Sequence, residues 1–300
     1  MPVAKLEGCA PWDPSGGLNL YGYRPHLAPG VAFSTLFALS MIIHTGQAWY
    51  KKRWWCLVFT VGALTELIGW AGRTWSSHCP HNLNAFLMQI TTLIMAPTFF
   101  TAGLYIILGR LITIFGRHTS PITAVMYLWI FCTCDVLSLV VQAIGGGMAS
   151  VAVSADPPRK SETGTHIMVA GIVFQMFSIS VFVILFGIFL SRVQRDHKEG
   201  RSKGLSRKIW ALISASAFCT LMIYIRSVYR TVELMQGWSG YLITHEDYFI
   251  GLDAVLMLLA VLVFNFVHPG WTLPTAKELE VSGQATPVRG NEEEELERKA

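Results

Sequence analysis

Seven stretches of about 20 apolar residues constrain this chain more than any other feature. They lie near residues 29–48, 55–72, 85–108, 122–145, 166–190, 209–229 and 249–267. A helix rises about 1.5 Å per residue, so about 20 such residues cross the hydrocarbon core of a bilayer. Charged residues make up only 14% of the 300 residues and hydrophobic residues 52%, whereas about 25% are charged in ordinary globular proteins. This composition excludes a soluble two-domain protein and predicts an all-α, polytopic membrane protein with seven transmembrane helices.

Basic residues are concentrated on alternate connections between the predicted helices. Twelve of them follow the first, third and fifth helices: Lys51, Lys52, Arg53, Arg110, Arg117, Arg192, Arg195, Lys198, Arg201, Lys203, Arg207 and Lys208. The opposite connections contain only Arg159 and Lys160. Since Lys and Arg accumulate on the cytosolic side, we expect the N-terminus outside and the C-terminus in the cytosol. The predicted units are an external N-terminal segment (1–28), a seven-helix transmembrane domain (29–270) and a cytosolic, disordered acidic tail (271–300).

Charged and polar residues interrupt the apolar stretches. A charge at the bilayer centre costs at least about 2.5 to 3.5 kcal/mol on insertion scales, so each one needs a compensating partner or water. The charged residues are Glu66, Arg73, Asp135, Arg226, Arg230, Glu233 and Asp253, and the uncharged polar ones include His44, Gln47, Gln89, Gln142 and Gln175. Glu66 and Arg73 are seven residues apart, as are Asp135 and Gln142, so each pair lies on one face of its helix.

These polar faces have two interpretations. In the structural one, the four acids pair with the three arginines and only fix the register of the helices. In the functional one, the polar side chains line a partly hydrated cavity that accepts a polar or charged group. The residues predicted for this cavity are Glu66, Arg73, Asp135, Gln142, Gln175, Arg226, Arg230, Asp253 and His44. Both interpretations can hold for different members of the set.

Motifs typical of other chemistries are absent from the sequence. There is no GxxxxGK(S/T) phosphate-binding loop, no HExxH and no GxSxG, so we expect no ATP site, no catalytic residues and no cofactor. The histidines are scattered singly, which predicts no metal site, although three could converge from separate helices in a zinc-dependent lipid hydrolase. A net charge of +4 is too small to indicate a nucleic-acid partner.

Three smaller features add local predictions. Cys9 and Cys79 both fall on the predicted external side, where oxidising conditions permit a disulfide. Pro97 interrupts the third stretch, and we expect a kink there, with neighbouring side chains satisfying the carbonyl that the proline frees. Glycines 145–147 end the fourth stretch, which indicates close packing or a flexible exit.

Short motifs follow one another in a specific order along the helices. They are YGYRPHLAPGVAF at 21–33, His44 with Gln47, ELIGWAGR at 66–73, Ala96 with Pro97, Tyr105, Arg110, Asp135, VQAIGGG at 141–147, Gln175, RSVYRTVEL at 226–234, QGWSGYL at 236–242, HED at 245–247, Asp253 and HPG at 268–270. Over about residues 21–274 the chain resembles the fungal lipid-translocating exporters, an RTA-like family associated with aminocholesterol resistance and sphingoid-base release. Trp70 departs from the pattern, since the family usually has tyrosine there.

The resemblance implies a fungal protein of the plasma membrane or the vacuolar membrane. Its partners would be the membrane and lipid-like amphiphiles, such as sphingoid long-chain bases, sterol analogues or toxic compounds, whose export confers resistance. As a mechanism, we hypothesise that a cationic head group follows the polar faces while its tail stays in lipid between helices. Glu66, Asp135 and Asp253 would be the counter-charges, and Pro97 would open a lateral gate.

Two other functions remain compatible with the sequence. A seven-helix receptor that senses lipid asymmetry has the same helix count and orientation, and an intramembrane lipid hydrolase is the third hypothesis. The sequence specifies neither the cargo, nor the driving force, nor the oligomeric state.

Overall fold

The computed structural model describes Cys9 and residues 21–155, 160–200, 206–238 and 240–274. Seven long helices run through it: α1 (Leu27–Lys51), α2 (Leu57–His78), α3 (Leu83–Phe115), α4 (Ala124–Ser154), α5 (Glu162–Lys198), α6 (Arg207–Met235) and α7 (246–266). α7 consists of Glu246–Phe249, a π-helical turn at Ile250–Ala254 and Val255–Phe266, and a short helix α8 follows at Pro269–Thr272. Within these described ranges there is no β-strand.

All seven long helices are long and apolar enough to cross a membrane. The prediction of an all-α, multi-pass membrane protein with seven spans is therefore confirmed. The predicted acidic tail lies outside the described residues from residue 275 onward, and so does most of the predicted N-terminal segment.

The bundle has two chemically different ends. At one, α2, α4 and α6 end and α3, α5 and α7 begin, and Cys9 and Cys79 form a disulfide there. We call this the disulfide end. The other end contains the connections 51–57, 115–124 and 198–207, where most of the basic residues lie, and we call it the basic end.

Several helices extend beyond the predicted boundaries, α5 most of all. Apolar length marks only the part of a helix that lies in hydrocarbon, whereas capping side chains decide where the helix begins. The Asn82 side chain accepts a hydrogen bond from the Ala85 amide at 3.0 Å and begins α3. Thr123 caps α4 in the same way at 3.3 Å.

Glycines 145–147 do not form an exit, because α4 continues through them to Ser154. A Cβ atom on Gly145 would lie 2.3 Å from the Met168 amide of α5, and one on Gly164 would lie 2.5 Å from the Ala149 amide of α4. Gly145 and Gly164 therefore let α4 and α5 approach to backbone contact. Of the two roles predicted for glycines 145–147, close packing is the one that the structure supports.

Aromatic rings fill the space between α3, α4 and α5 in the half of the bundle nearer the basic end. We call Tyr105, Tyr127, Phe131 and Phe182 the aromatic cluster. The ring centroids of Tyr105 and Phe182 are 4.8 Å apart, and those of Phe131 and Phe182 are 5.6 Å apart. All four side chains are buried, so the cluster closes this half of the α3–α4–α5 interface.

Candidate functional site

A cavity of about 30 Å³ lies at mid-depth between α3, α4, α5 and α6. We call it the polar cavity. Its polar lining includes five of the nine residues predicted from the sequence, namely Asp135, Gln142, Gln175, Arg226 and Arg230. Its volume has room for about two water molecules. The structure therefore brings these residues from three helices around one small space that can be hydrated.

Asp135 is held in the polar cavity by two hydroxyl groups of α3. Its Oδ2 accepts hydrogen bonds from Thr101 Oγ1 at 3.1 Å and from Tyr105 OH at 3.0 Å. In the described part of the chain, Asp135 has no ion pair with a basic side chain. Sequence analysis missed Thr101 and gave Tyr105 no role. Their spacing of four residues, which places both hydroxyls on one helical face, is the signal that could have found them.

Gln142 and Gln175 face each other across α4 and α5. Gln142 Nε2 donates a hydrogen bond to Gln175 Oε1 at 3.1 Å. The Oε1 atom of Gln142 is buried and has no hydrogen-bond partner among the described residues. Buried amide oxygens are nearly always satisfied, so this oxygen lacks a partner that a water molecule or a ligand group at the cavity wall would supply.

Arg226 makes two structural contacts at the wall of the cavity. Its Nε forms an ion pair with Asp253 of α7, and its Nη2 donates to the Leu93 carbonyl at 2.6 Å. Leu93 precedes Pro97 by four residues, and a proline has no N–H to give that carbonyl. α3 continues as one helix across Pro97, so the guanidinium replaces the hydrogen bond that the proline removes.

Arg230 is also paired with acids. Its Nη1 lies 2.6 Å from Glu233 Oε2, and its Nε lies 4.0 Å from Asp253 Oδ1. Tyr229 donates a further hydrogen bond to Glu233 at 2.9 Å. The positive charges of both cavity arginines are thus balanced by carboxylates on α6 and α7.

Glu66 and Asp253 lie behind the cavity and do not line it. Glu66 is 1% exposed, its Oε1 has no hydrogen-bond partner among the described residues, and it lies within electrostatic reach of Arg226 and Asp253. Two acids of the site, Asp253 and Glu233, form ion pairs with Arg226 and Arg230, whereas Asp135 and Glu66 form none in the described part of the chain. Ion pairs and a cavity therefore coexist.

Arg73 is not part of this site. Its Nη2 lies 2.6 Å from Glu246 Oε1 and 2.8 Å from Tyr23 OH, near the disulfide end. Its guanidinium also lies 4.7 Å from the ring centroid of Phe249. Glu246 is the partner that sequence analysis missed, because it begins α7, 173 residues after Arg73.

Two tyrosines of the predicted N-terminal segment complete the cluster around Arg73. The Tyr21 hydroxyl lies 2.8 Å from Ser76 Oγ and 2.9 Å from Gln89 Oε1. Burial raises the pKa of both Tyr21 and Tyr23 above the ordinary value for tyrosine, so both hydroxyls stay protonated and can donate. The segment after residue 20 is thereby fixed to α2 and α3.

His44 also lies apart from the polar cavity. Its Nε2 is 3.3 Å from the Val261 carbonyl, and its ring centroid is 6.0 Å from that of His268. Nearby, Gln47 donates to the Asn265 carbonyl at 2.8 Å. These contacts join α1 to α7 in the half nearer the basic end, on the other side of the bundle core from α4 and α5.

A second space of about 780 Å³ opens between α3 and α4 in the half nearer the disulfide end. We call it the apolar groove. Its lining contains side chains that are exposed to the surroundings of the bundle, including Val136, Val140 and Val151 at 58%, 50% and 72%. Ile94 and Gln142 line both the groove and the polar cavity. A lipid-exposed surface therefore adjoins the buried polar site at these two residues.

The dimensions of the groove suit one membrane leaflet. Its lining on α3 runs from Leu83 to Met95, about 18 Å at 1.5 Å per residue, and half of a hydrocarbon core is about 15 Å. Phe86 and Trp238 border the end near the surface, where Trp238 Nε1 donates to Thr165 Oγ1 at 2.8 Å. The groove ends at mid-depth, where the polar cavity begins and beyond which the aromatic cluster closes the interface.

Potential metal ligands do not come together in the described ranges. No group of three His, Cys, Asp or Glu side chains there is arranged to hold a metal ion. The hydrolase hypothesis therefore gains no ligand set from the part of the chain that the structure describes.

Comparison with known proteins identifies the family. Residues 59–276 match the family described as RTA1 like protein. The chain is 33% identical over 285 residues to the sphingoid long-chain base transporter RSB1 of Saccharomyces cerevisiae, covering 84% of this chain and 74% of that protein. It is 29% identical over 280 residues to Protein RTA1 (84% and 86%) and 28% identical over 286 residues to Protoporphyrin uptake protein 1 (83% and 91%), both of the same yeast. No solved structure matches the chain. The chain belongs to the RTA1-like family, and the resemblance inferred from its motifs is confirmed.

Proposed function

We propose that this protein moves cationic amphiphiles through the bilayer, with sphingoid long-chain bases as the main substrate class. The observation that carries the proposal is that the apolar groove and the polar cavity adjoin, with Ile94 and Gln142 lining both. An alkyl tail fits the groove, whose volume lies within the range of about 300 to 1,000 Å³ typical of ligand sites. The ammonium head then reaches the cavity, where Asp135 is the counter-charge.

The charge balance favours a cationic head over an anionic one. Both cavity arginines are already paired, Arg226 with Asp253 and Arg230 with Glu233. Within the described ranges, Asp135 has only the neutral donors Thr101 and Tyr105. An ammonium group would compensate the carboxylate of Asp135, whereas an anion would meet no arginine that is without an acidic partner. This argument favours a long-chain base as the substrate over protoporphyrin, which bears carboxylates. A relative that is 28% identical is named for protoporphyrin uptake.

The orientation follows from two independent features. Lys and Arg lie mostly at the basic end, which indicates the cytosol, and the disulfide Cys9–Cys79 lies at the other end, which indicates an oxidising compartment. We therefore place the N-terminus outside and the groove in the outer leaflet of the plasma membrane, or in the lumenal leaflet of a vacuole. A glycosylation sequon introduced at residues 241–245 would be modified in cells in this orientation and would stay unmodified in the opposite one.

The absence of an ATP-binding motif in the sequence means that transport would follow a gradient or run downhill. Export of this kind lowers the concentration of toxic amphiphiles in the membrane and would confer resistance. Glu66 and Asp253, behind the cavity, would set its electrostatic potential, and Pro97 borders the route at the level where the groove ends.

The decisive experiment is a flux assay with the purified protein in lipid vesicles. We expect the protein to accelerate transbilayer movement of a fluorescent long-chain base, and Asp135→Asn to lower the rate at least tenfold, the effect of losing an ion pair worth about 1.4 kcal/mol or more. Asp196→Asn is the matched control, because Asp196 is a buried acid bonded to His118 at 2.6 Å near the basic end. Rates equal to those of empty vesicles would contradict transport and favour the sensor hypothesis. Conversion of the lipid to a product would favour the hydrolase hypothesis.

A further inference from the structure

We infer that Gln142 is a specificity-determining residue that recognises a hydroxyl group next to the amine of the substrate. The site would then prefer long-chain amino alcohols to simple alkylamines of the same length. This inference rests on the proposed function. It adds that the cavity recognises a hydroxyl group of the substrate as well as its charge.

The first argument is the position of Gln142. Among the described residues, Ile94 and Gln142 alone are shared by the linings of the polar cavity and the apolar groove, and Gln142 is the polar member of that pair. A substrate whose tail lies in the groove and whose head lies in the cavity must pass its first carbon atoms beside this side chain. Gln142 therefore contacts the part of the molecule where head and tail meet.

The second argument is the unfilled hydrogen-bonding capacity of Gln142. Its Nε2 is bound to Gln175 Oε1 at 3.1 Å, which fixes the amide plane, and its Oε1 has no partner among the described residues. The side chain is buried, with 4% exposure of the residue, so the empty position costs free energy until a donor fills it. With the ammonium bound to Asp135, a hydroxyl on the neighbouring carbon can donate to this oxygen.

The third argument is the order of the chemical groups along α4. Asp135 lies nearest the aromatic cluster, Gln142 follows seven residues later, and the groove residues Gly146 and Gly147 come next. The Cα–Cβ bonds of a helix tilt toward its N-terminus, so the Gln142 side chain leaves the backbone on the side of Asp135. In a long-chain 2-amino-1,3-diol the amine, a hydroxyl and the alkyl chain follow in the same order.

The test compares two substrates in vesicles containing the full chain. We expect the wild-type protein to move a long-chain 2-amino-1,3-diol about fivefold to tenfold faster than a primary alkylamine of equal chain length, the factor expected for one net hydrogen bond. Gln142→Met keeps the length of the side chain and removes its hydrogen bonds. It should bring that ratio close to one by slowing the diol, with the alkylamine rate changed less than about twofold.

Two further variants keep the result interpretable. Gln89→Met is the matched control, because Gln89 is a buried glutamine bonded to Tyr21 outside the cavity, and it should preserve the ratio. Gln175→Met removes the group that orients Gln142 and should lower the ratio partially, which supplies a second measurement if Gln142→Met does not fold.

The possible failures are distinguishable. If wild-type protein moves both substrates but at equal rates, or if Gln142→Met slows both by the same factor, the inference about Gln142 is wrong and the proposed function stands. If wild-type protein moves neither substrate, the proposed function is wrong and the inference falls with it.

Discussion

Tyr105 donates a hydrogen bond to Asp135, with 3.0 Å between the hydroxyl and Oδ2, while its ring lies 4.8 Å from that of Phe182. One side chain therefore contacts both the unpaired acid of the polar cavity and the aromatic cluster that closes the half nearer the basic end. A cation bound to Asp135, as proposed above, would compete for the same carboxylate and weaken this hydrogen bond. We therefore expect occupancy of the cavity to change the stability of the aromatic cluster.

Tyr105→Phe should remove the coupling between occupancy of the polar cavity and the stability of the aromatic cluster. The ring remains, but a hydrogen bond to a charged acceptor, worth about 1.5 to 3 kcal/mol, is lost. We expect amide hydrogen exchange along residues 104–112 of α3 to become faster and to stop responding to a long-chain base, whereas in the wild-type protein the base accelerates it. Exchange measured by mass spectrometry on the protein in lipid nanodiscs checks this expectation.

Tyr127→Phe is the control for that experiment. Tyr127 belongs to the same aromatic cluster, but its hydroxyl contacts Ser120 at 3.0 Å and not Asp135. In the Tyr127→Phe variant, amide exchange along residues 104–112 should still respond to the long-chain base. An undiminished response in Tyr105→Phe would show that cavity and cluster are not coupled through this tyrosine.

The sequence predicted what depends on distance along one helix. Seven spans follow from apolar length, and the common face of Asp135 and Gln142 follows from their spacing of seven residues. The partner of Arg73 could not be predicted, because Glu246 comes from another helix and only the packing of α2 against the start of α7 brings them together. His44 was assigned to the cavity because the sequence does not show which neighbouring helix a buried polar side chain faces. The structure places it beside His268.

The apolar groove was outside the reach of sequence analysis for a related reason. It exists because α3 and α4 contact each other near Gly109 and Ala124, where a Cβ on Gly109 would lie 3.4 Å from the Ala124 Cβ, and leave a space between them in the other half. Divergence of two helices is set by side chains along the whole interface. Most residues of the groove are ordinary apolar residues, which cannot be told apart in the sequence from those of a lipid-facing surface.

Filling the groove should block transport without unfolding the protein. Gly147 borders the groove, and a Cβ added there meets no atom within 4 Å. We expect Gly147→Leu to place its side chain where the alkyl tail would lie and to reduce long-chain base flux severalfold, as measured in vesicles. Gly187→Leu makes the same change on an open face of α5 and should leave the flux unchanged. Equal rates for both variants would remove the groove from the route.

Gly164 and Gly147 should respond to alanine in opposite directions. At Gly164 a Cβ would lie 2.5 Å from the Ala149 amide nitrogen, a backbone atom that cannot move aside. Overpacking of this kind costs about 1 to 3 kcal/mol, so Gly164→Ala should lower the midpoint of thermal unfolding in detergent. Gly147→Ala meets no obstacle and should raise it slightly, since glycine inside a helix costs about 0.5 to 1 kcal/mol relative to alanine. A stabilising Gly164→Ala would contradict the close α4–α5 contact.

The bond between Arg226 and the Leu93 carbonyl, 2.6 Å long, predicts that the cost of losing Arg226 depends on Pro97. Arg226→Met breaks a buried ion pair with Asp253, which typically costs about 3 to 5 kcal/mol, and it also leaves the Leu93 carbonyl without a donor. Pro97→Ala supplies a backbone N–H to that carbonyl. In the Pro97→Ala background, Arg226→Met should therefore cost about 1 to 3 kcal/mol less, the penalty of one unsatisfied buried group.

A double-mutant cycle on the free energy of unfolding, from denaturant titrations in one detergent, measures this difference. The cycle that pairs Arg226→Met with Thr113→Ala is its control, because Thr113 lies on α3 far from Pro97 and bonds only to the Gly109 carbonyl of its own helix in the described contacts. Distant sites add within about 0.5 kcal/mol, so this cycle should be additive. Additivity in the Pro97 cycle as well would mean that Arg226 stabilises α6 and α7 through Asp253 alone and does not replace the hydrogen bond missing at the proline.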